Sequence, residues 1–113
     1  KWKNRIESLC SADKEQALFI DGRLDAEDLQ IFCITGNDTH LIQKYENEYL
    51  YSDADVEEAP CSFKQTSYLA AMIGSLITNL VVNFVSNTVV EFSKVLPFKT
   101  SFNTSILKLI VED

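Results

Sequence analysis

Leu18-Phe19-Ile20-Asp21-Gly22-Arg23-Leu24-Asp25-Ala26-Glu27, followed closely by the apolar run Leu29–Thr35, sets the kind of fold this chain can adopt. Ala17 to Asp21 reads as a buried strand that leaves through Asp21-Gly22-Arg23, where glycine permits a sharp exit. Leu29 to Thr35 reads as a second strand, closed by the turn signature Gly36-Asn37-Asp38. Asp38 or Thr39 then caps a short helix through about Glu46, with Leu41, Ile42 and Tyr45 facing inward.

Working outward, Trp2, Ile6, Leu9 and Cys10 fall at helical spacing, so a short amphipathic helix is expected over Trp2 to Ser11. Downstream, Ser52 to Gln65 is a polar connection near the upper end of ordinary loop lengths. Thr66 to Ser86 is the dominant predicted helix. On a helical wheel Leu69, Met72, Ile73, Leu76, Ile77, Leu80, Val81 and Phe84 share one broad face, and Ser67, Ala71, Gly74, Ser75 and Thr78 form a small-residue stripe opposite. The expectation is a helix covered on nearly all sides. Pro97 breaks the chain, and Phe98–Phe102 with Ser105–Val111 reads as a closing strand pair around Asn103.

The chain has 113 residues, 46% of them hydrophobic and 24% charged, which fits one globular domain or part of a larger one. A net charge of -7 opposes binding to phosphate backbones, and no basic stripe interleaved with aromatics is present. Nucleic acid is therefore not an expected partner. The uncharged run from Gln65 to Val90 is long enough to span a bilayer. Ser75, Thr78, Asn79, Asn83, Ser86 and Asn87 dilute it, and no aromatic belt or basic flank marks its ends, so a core helix is preferred over a membrane span. Three scattered cysteines, Cys10, Cys33 and Cys61, do not make a disulfide framework and point to a reduced, cytoplasmic compartment. With one histidine, His40, and no C-x-x-C pair, no zinc site is expected. The first residues, Lys1-Trp2-Lys3-Asn4-Arg5, lack an initiator methionine and the apolar core of a signal peptide, as a fragment or processed product would.

Cys61 is the chemical candidate. It lies ahead of the long helix with Lys64 three residues on, and a helix N-terminus and an ammonium both favour thiolate. Six carboxylates between Tyr45 and Pro60 oppose that effect. Asp53, Asp55, Glu57 and Glu58 lack the central glycine and ligand spacing of a calcium loop and read as a solvated acidic segment. Asp21 and Arg23 leave two readings open. At the carboxyl end of a strand they would face a ligand site, or Arg23 pairs with Asp21 or Glu27 in a salt-bridged turn. The three glycines of the chain form no phosphate-cradling loop.

The order of features resembles the C-terminal half of the ThiF/MoeB/HesA family, adenylyltransferases related to ubiquitin-activating enzymes. The residues that carry the resemblance are Leu18 to Glu27, Gln30-Ile31-Phe32, Tyr45-Glu46, Pro60-Cys61-Ser62 and Tyr68-Leu69-Ala70-Ala71-Met72-Ile73-Gly74-Ser75-Leu76. The resemblance implies an α/β fold, namely the C-terminal part of a Rossmann-like sheet with a long buried helix and a closing strand pair. Residues 1–113 would be a partial domain, with a crossover loop at about 52–65 and a central helix at about 66–86. It further implies an enzyme that uses ATP and magnesium to activate the C-terminus of a ubiquitin-like or sulfur-carrier protein. Cys61 matches the crossover-loop cysteine that can accept the acyl group, and Asp21 and Arg23 would face the reaction centre. The nucleotide-binding elements belong to the family's N-terminal half, so the fragment alone is expected to be inactive. A homodimer is left open. The alternatives are a non-catalytic interaction or assembly module and, less favoured, a membrane-anchored fragment.

Overall fold

The computed structural model describes residues 17–25, 27–49, 67–89 and 94–113. The predicted helix over Trp2 to Ser11, Cys10, and the connection from Ser52 to Gln65 with Cys61 lie outside the described residues. Strand β1 is Leu18–Leu24, β2 is Asp28–Thr35, helix α1 is Thr39–Glu48, α2 is Ser67–Ser86, β3 is Lys99–Asn103 and β4 is Lys108–Glu112. The strands form one sheet in the order β1-β2-β3-β4, and every neighbouring pair is antiparallel. The chain is thus an α/β mixture with the expected closing strand pair. The described sheet is not the parallel sheet of a Rossmann-like fold. Between β1 and β2 lie only Asp25 to Glu27, too short a connection for a crossover between parallel strands.

β2 explains the layering. Leu29, Ile31, Phe32, Cys33 and Ile34 are all buried, so both of its faces are apolar and both need cover. Phe32 and Ile34 pack with Ile42 and Tyr45 of α1 and with Phe98. Leu29, Ile31 and Cys33 pack with Leu69, Ile73 and Leu80 of α2. The period of two in the strand therefore sends alternate residues to opposite helices.

Local chemistry sets the joints. The backbone N–H of Gly36 donates to the Ala17 carbonyl at 2.9 Å, and Asn37 takes a positive φ of 65°, a conformation its short polar side chain tolerates. Asp38 caps α1 by accepting from the Leu41 N–H at 3.3 Å. Leu41, Ile42 and Tyr45 point inward as their spacing predicts. Beyond α2, Asn83 Nδ2 donates to the Val95 carbonyl at 3.1 Å, and Asn87 both donates to the Lys94 carbonyl and accepts from the Lys94 N–H. These asparagines hold the returning chain against the end of α2. At the far end of the sheet, Asn103 Oδ1 accepts from the N–H groups of Ser105 and Ile106, forming the turn into β4. That turn is tied to the first hairpin, where the Glu27 carbonyl accepts from Thr104 N–H at 2.9 Å.

Two expectations are corrected. β1 does not end at Asp21. It continues through Gly22 and Arg23 to Leu24, because its ladder with β2 runs unbroken from Leu18↔Thr35 to Leu24↔Leu29. Gly22 serves close approach rather than a turn. A Cβ there would sit 3.1 Å from both Ile73 Cδ1 and Ile77 Cδ1, so its absence lets α2 lie down on β1. The second correction concerns α2. Most of the expected inward face does point to the sheet, but Val81 of that face is exposed and the helix is not covered all round. Leu69, Ile73 and Leu80 are buried, Met72, Leu76 and Ile77 are partly so, and Val81, Val82 and Val85 are exposed. A sheet covers only one side of a helix, and no second layer among the described residues covers the other. By length and composition alone α2 would also suffice to cross a membrane.

The packing of α2 on β1 gives a stability test. Ile73→Ala should cost about 2–5 kcal/mol in urea unfolding, and Gly22→Val about 1–3 kcal/mol by crowding. Because both act on one contact, the double variant should cost clearly less than the sum. Strict additivity would mean that α2 does not rest on Gly22.

Candidate functional site

Asp21 and Arg23 are two residues apart on β1, so both side chains project from the same face of the sheet, the face covered by α1. Tyr45, one turn and a half into α1, comes down on them. Its hydroxyl donates to Asp21 Oδ2 at 2.7 Å, and Arg23 Nε donates to the same oxygen at 2.9 Å. Arg23 Nη2 approaches the Tyr45 hydroxyl oxygen at 3.4 Å, closing the triangle. The guanidinium also lies over the Phe32 ring, 4.8 Å from its centroid. Strand β2 supplies that ring as the cross-strand partner of Asp21.

The electrostatics follow from burial. Tyr45 is 1% exposed, and its hydroxyl is pushed up to about 12 by burial and by the Asp21 carboxylate, with Arg23 working against the shift. For Arg23, burial disfavours the cation, but the bonds to Tyr45 and Asp21 outweigh it and the group lies above its ordinary value. The tyrosine therefore stays a phenol and a donor at neutral pH. Such a cluster joins strand to helix through charge-assisted hydrogen bonds.

Of the residues singled out in the sequence, Asp21 and Arg23 are brought together, in the ion pair that one of the two readings anticipated. They stand in the strand rather than beyond its end. Cys61 lies outside the described residues. His40 is exposed in the first turn of α1. Cys33 is 2% exposed beneath α2, and burial pushes its thiol up to about 11, as a buried core thiol requires. Tyr45 was legible only as an inward residue of α1. Its bond to Asp21 depends on how α1 crosses the sheet, which no local signal carries.

A shallow cleft beside the triangle is lined by Arg23, Leu24, Asp25, Asp28 and Gln30. Its volume of about 150 Å³ is below the several hundred Å³ of typical cofactor sites, and two carboxylates at its rim oppose a phosphate. The glycines give no cradle either. Gly22 lies under α2, Gly36 closes the β2 turn, and Gly74 faces open space in mid-helix. Among the described residues no three His, Cys, Asp or Glu side chains group as a metal site. The cleft beside Arg23 does not fit ATP with magnesium.

The raised Tyr45 pKa has a defined consequence. A phenol at about 12 in the folded state and near 10 when unfolded stabilises the fold fully below pH 10. That contribution is lost as pH rises through 12. Tyr45→Phe should cost about 1–2 kcal/mol at neutral pH and flatten the loss of stability between pH 10 and 12. Unfolding curves at pH 7, 10 and 11.5 for both proteins check this, and an unchanged alkaline slope would mean that the folded chain does not hold the Tyr45 phenol above its ordinary value.

Comparison of the chain with family models, with curated proteins and with solved structures finds no match.

Proposed function

We propose that these 113 residues are the C-terminal portion of a ThiF-like adenylyltransferase that activates the C-terminus of a ubiquitin-like or sulfur-carrier protein in the cytoplasm. The observation that carries the reading is the placement of α2. The glycine- and alanine-containing helix that follows the Cys61 segment turns back onto the β1–β2 pair over Gly22, with Ile73 and Ile77 at closest approach. A helix of this composition packed on a sheet supports the reading, although the sheet here is antiparallel.

In this reading the Rossmann-like, parallel part of the sheet and the groups that hold ATP and magnesium belong to a portion of the protein outside these residues. The present portion contributes a scaffold and Cys61, the candidate acyl acceptor. Asp21 and Arg23 act from within the Tyr45 cluster and hold β1 and α1 in place at the edge of the reaction centre. A thiolate is a competent nucleophile toward an activated acyl group, which is the chemical reason for assigning that role to Cys61 rather than to a buried thiol such as Cys33.

A second reading, a non-catalytic interaction or assembly module, has its own support. Tyr68, Val82 and Val85 are exposed along α2 and Val89 in the turn after it, as are Leu109, Ile110 and Val111 of β4. So much open apolar surface is a mark of docking surfaces.

The full-length protein separates the two. Pyrophosphate exchange into ATP that depends on a carrier protein ending in glycine is expected for the adenylyltransferase. Cys61→Ser should preserve exchange and abolish a thiol-sensitive carrier adduct. No exchange with any such carrier, in a protein without an upstream glycine-rich phosphate loop, would leave the module. The 113-residue chain alone should not bind ATP by calorimetry, and micromolar binding would overturn the division of labour. In native protein, iodoacetamide should label Cys61 ahead of Cys10 and Cys33, with Cys33 shielded beneath α2.

A further inference from the structure

β4 is the one described strand in which every residue is exposed. Leu109, Ile110 and Val111 are 50%, 51% and 52% exposed, and Ile106 and Leu107 extend the apolar surface into the preceding turn. The inner edge of β4 pairs with β3 in an unbroken register from Lys99↔Glu112 to Asn103↔Lys108. Among the described residues no strand pairs with its outer edge. An edge of this kind presents free backbone donors and acceptors to any strand of matching length, and proteins ordinarily blunt it by keeping it short or with a proline, a bulge or charged side chains. Lys108-Leu109-Ile110-Val111-Glu112 is short but has no proline, and its charges stand at its two ends, which leaves Leu109-Ile110-Val111 between them.

We propose that the outer edge of β4 pairs antiparallel with β4 of a second copy of this chain, about a two-fold axis at Ile110. The two four-stranded sheets become one sheet of eight. The order of residues selects both the occupant and the register. An axis at Ile110 sets Lys108 opposite the partner's Glu112, Leu109 opposite the partner's Val111, and Ile110 opposite the partner's Ile110. Each strand end thus gains an opposite-charge pair, and each apolar side chain meets an apolar one. Moving the axis to Leu109 places Lys108 against an isoleucine, and moving it to Val111 places Glu112 against one. Parallel pairing in register would align Lys108 with Lys108 and Glu112 with Glu112. A closed dimer requires a self-complementary strand, and this segment is symmetric in polarity and opposite in charge about Ile110.

The faces are compatible with the pairing. Leu109 and Val111 lie on the α2 side of the sheet, beside Phe102 and Thr100, and would continue that apolar layer across the axis. Lys108, Ile110 and Glu112 lie on the α1 side, where Glu112 already accepts from Lys44 Nζ at 3.0 Å. Its carboxylate would be shared between Lys44 and the partner's Lys108. This inference stands independently of the adenylyltransferase reading.

Sedimentation equilibrium of the 113-residue chain should show a reversible monomer–dimer equilibrium. Lys108→Glu and Glu112→Lys, each alone, set like charges opposite one another at both ends and should raise the dimer dissociation constant about tenfold or more. An equimolar mixture of the two variants should recover association, because the heterodimer restores a Glu–Lys pair at each end. Amide hydrogen exchange on the unsubstituted chain provides a readout that needs no variant, and β4 amides should gain protection as concentration rises. A chain that stays monomeric up to about 1 mM overturns the proposal. So does a dimer with β4 amides unprotected, or one indifferent to both charge changes, since its interface would lie elsewhere. Exclusive pairing of β4 with a different protein would overturn it as well.

Discussion

The two-sided burial of β2 is the constraint on which the remaining structure rests. A strand at the edge of a soluble sheet can leave one face polar, but Leu29, Ile31, Phe32, Cys33 and Ile34 cover both faces with apolar atoms. Fully burying a large aliphatic or aromatic side chain contributes roughly 1.5–3 kcal/mol, so this one strand supplies on the order of 10 kcal/mol, the same order as a domain's whole net stability. Neither face can be left wet. β1 and β3 flank the strand within the sheet, α1 closes one face and α2 the other. A one-residue slip in its pairing would exchange the two sets of side chains and mismatch both helices, so the register is strongly specified.

The Asp21–Arg23–Tyr45 cluster shows how such a core accommodates charge. Removing a carboxylate and a guanidinium partly from water is costly, and a half-buried ion pair alone is weak support for a fold. Here Asp21 Oδ2 receives two donors, and the guanidinium gains the Phe32 ring face in addition. The same geometry orients α1. Tyr45 is packed edge-on against Phe19 and Phe32 while its hydroxyl reaches Asp21, so the helix is held both by apolar contact and by a directional bond. An apolar residue at 45 would keep the first and lose the second.

The apolar surface left over is divided between two places with different physics. α2 carries its excess on the side away from the sheet, where Ser75 and Thr78 bond to carbonyls one turn earlier and so present little unsatisfied polarity. β4 carries its excess along an open edge, where the outward backbone groups meet no strand among the described residues and Leu109, Ile110 and Val111 are exposed. The first surface can be covered by any apolar layer. The second demands another strand, which is why its register can be argued residue by residue.

The sequence by itself determined the local elements. The runs around Ile20 and Ile31, the Gly36-Asn37-Asp38 turn with its Asp38 cap, the inward Ile42 and Tyr45, the long helix with Leu69, Ile73 and Leu80 on its inner face, and the strand pair about Asn103 all follow from period, capping and turn chemistry. These are short-range effects. Tertiary structure alone decided the rest. Gly22 looked like a turn residue because glycine permits turns, and only the approach of Ile73 and Ile77 shows that it is there to make room. The helix looked buried all round because it carries no charge on any side, yet a single sheet shields one side. Asp21 and Arg23 were legible as a candidate ion pair, but Tyr45 joined them only when α1 crossed the sheet. Which distant strands meet is likewise a tertiary outcome, for β2 and β3 pair although they lie far apart in the chain, whereas the antiparallel order of β1–β2 and of β3–β4 follows from their short connections.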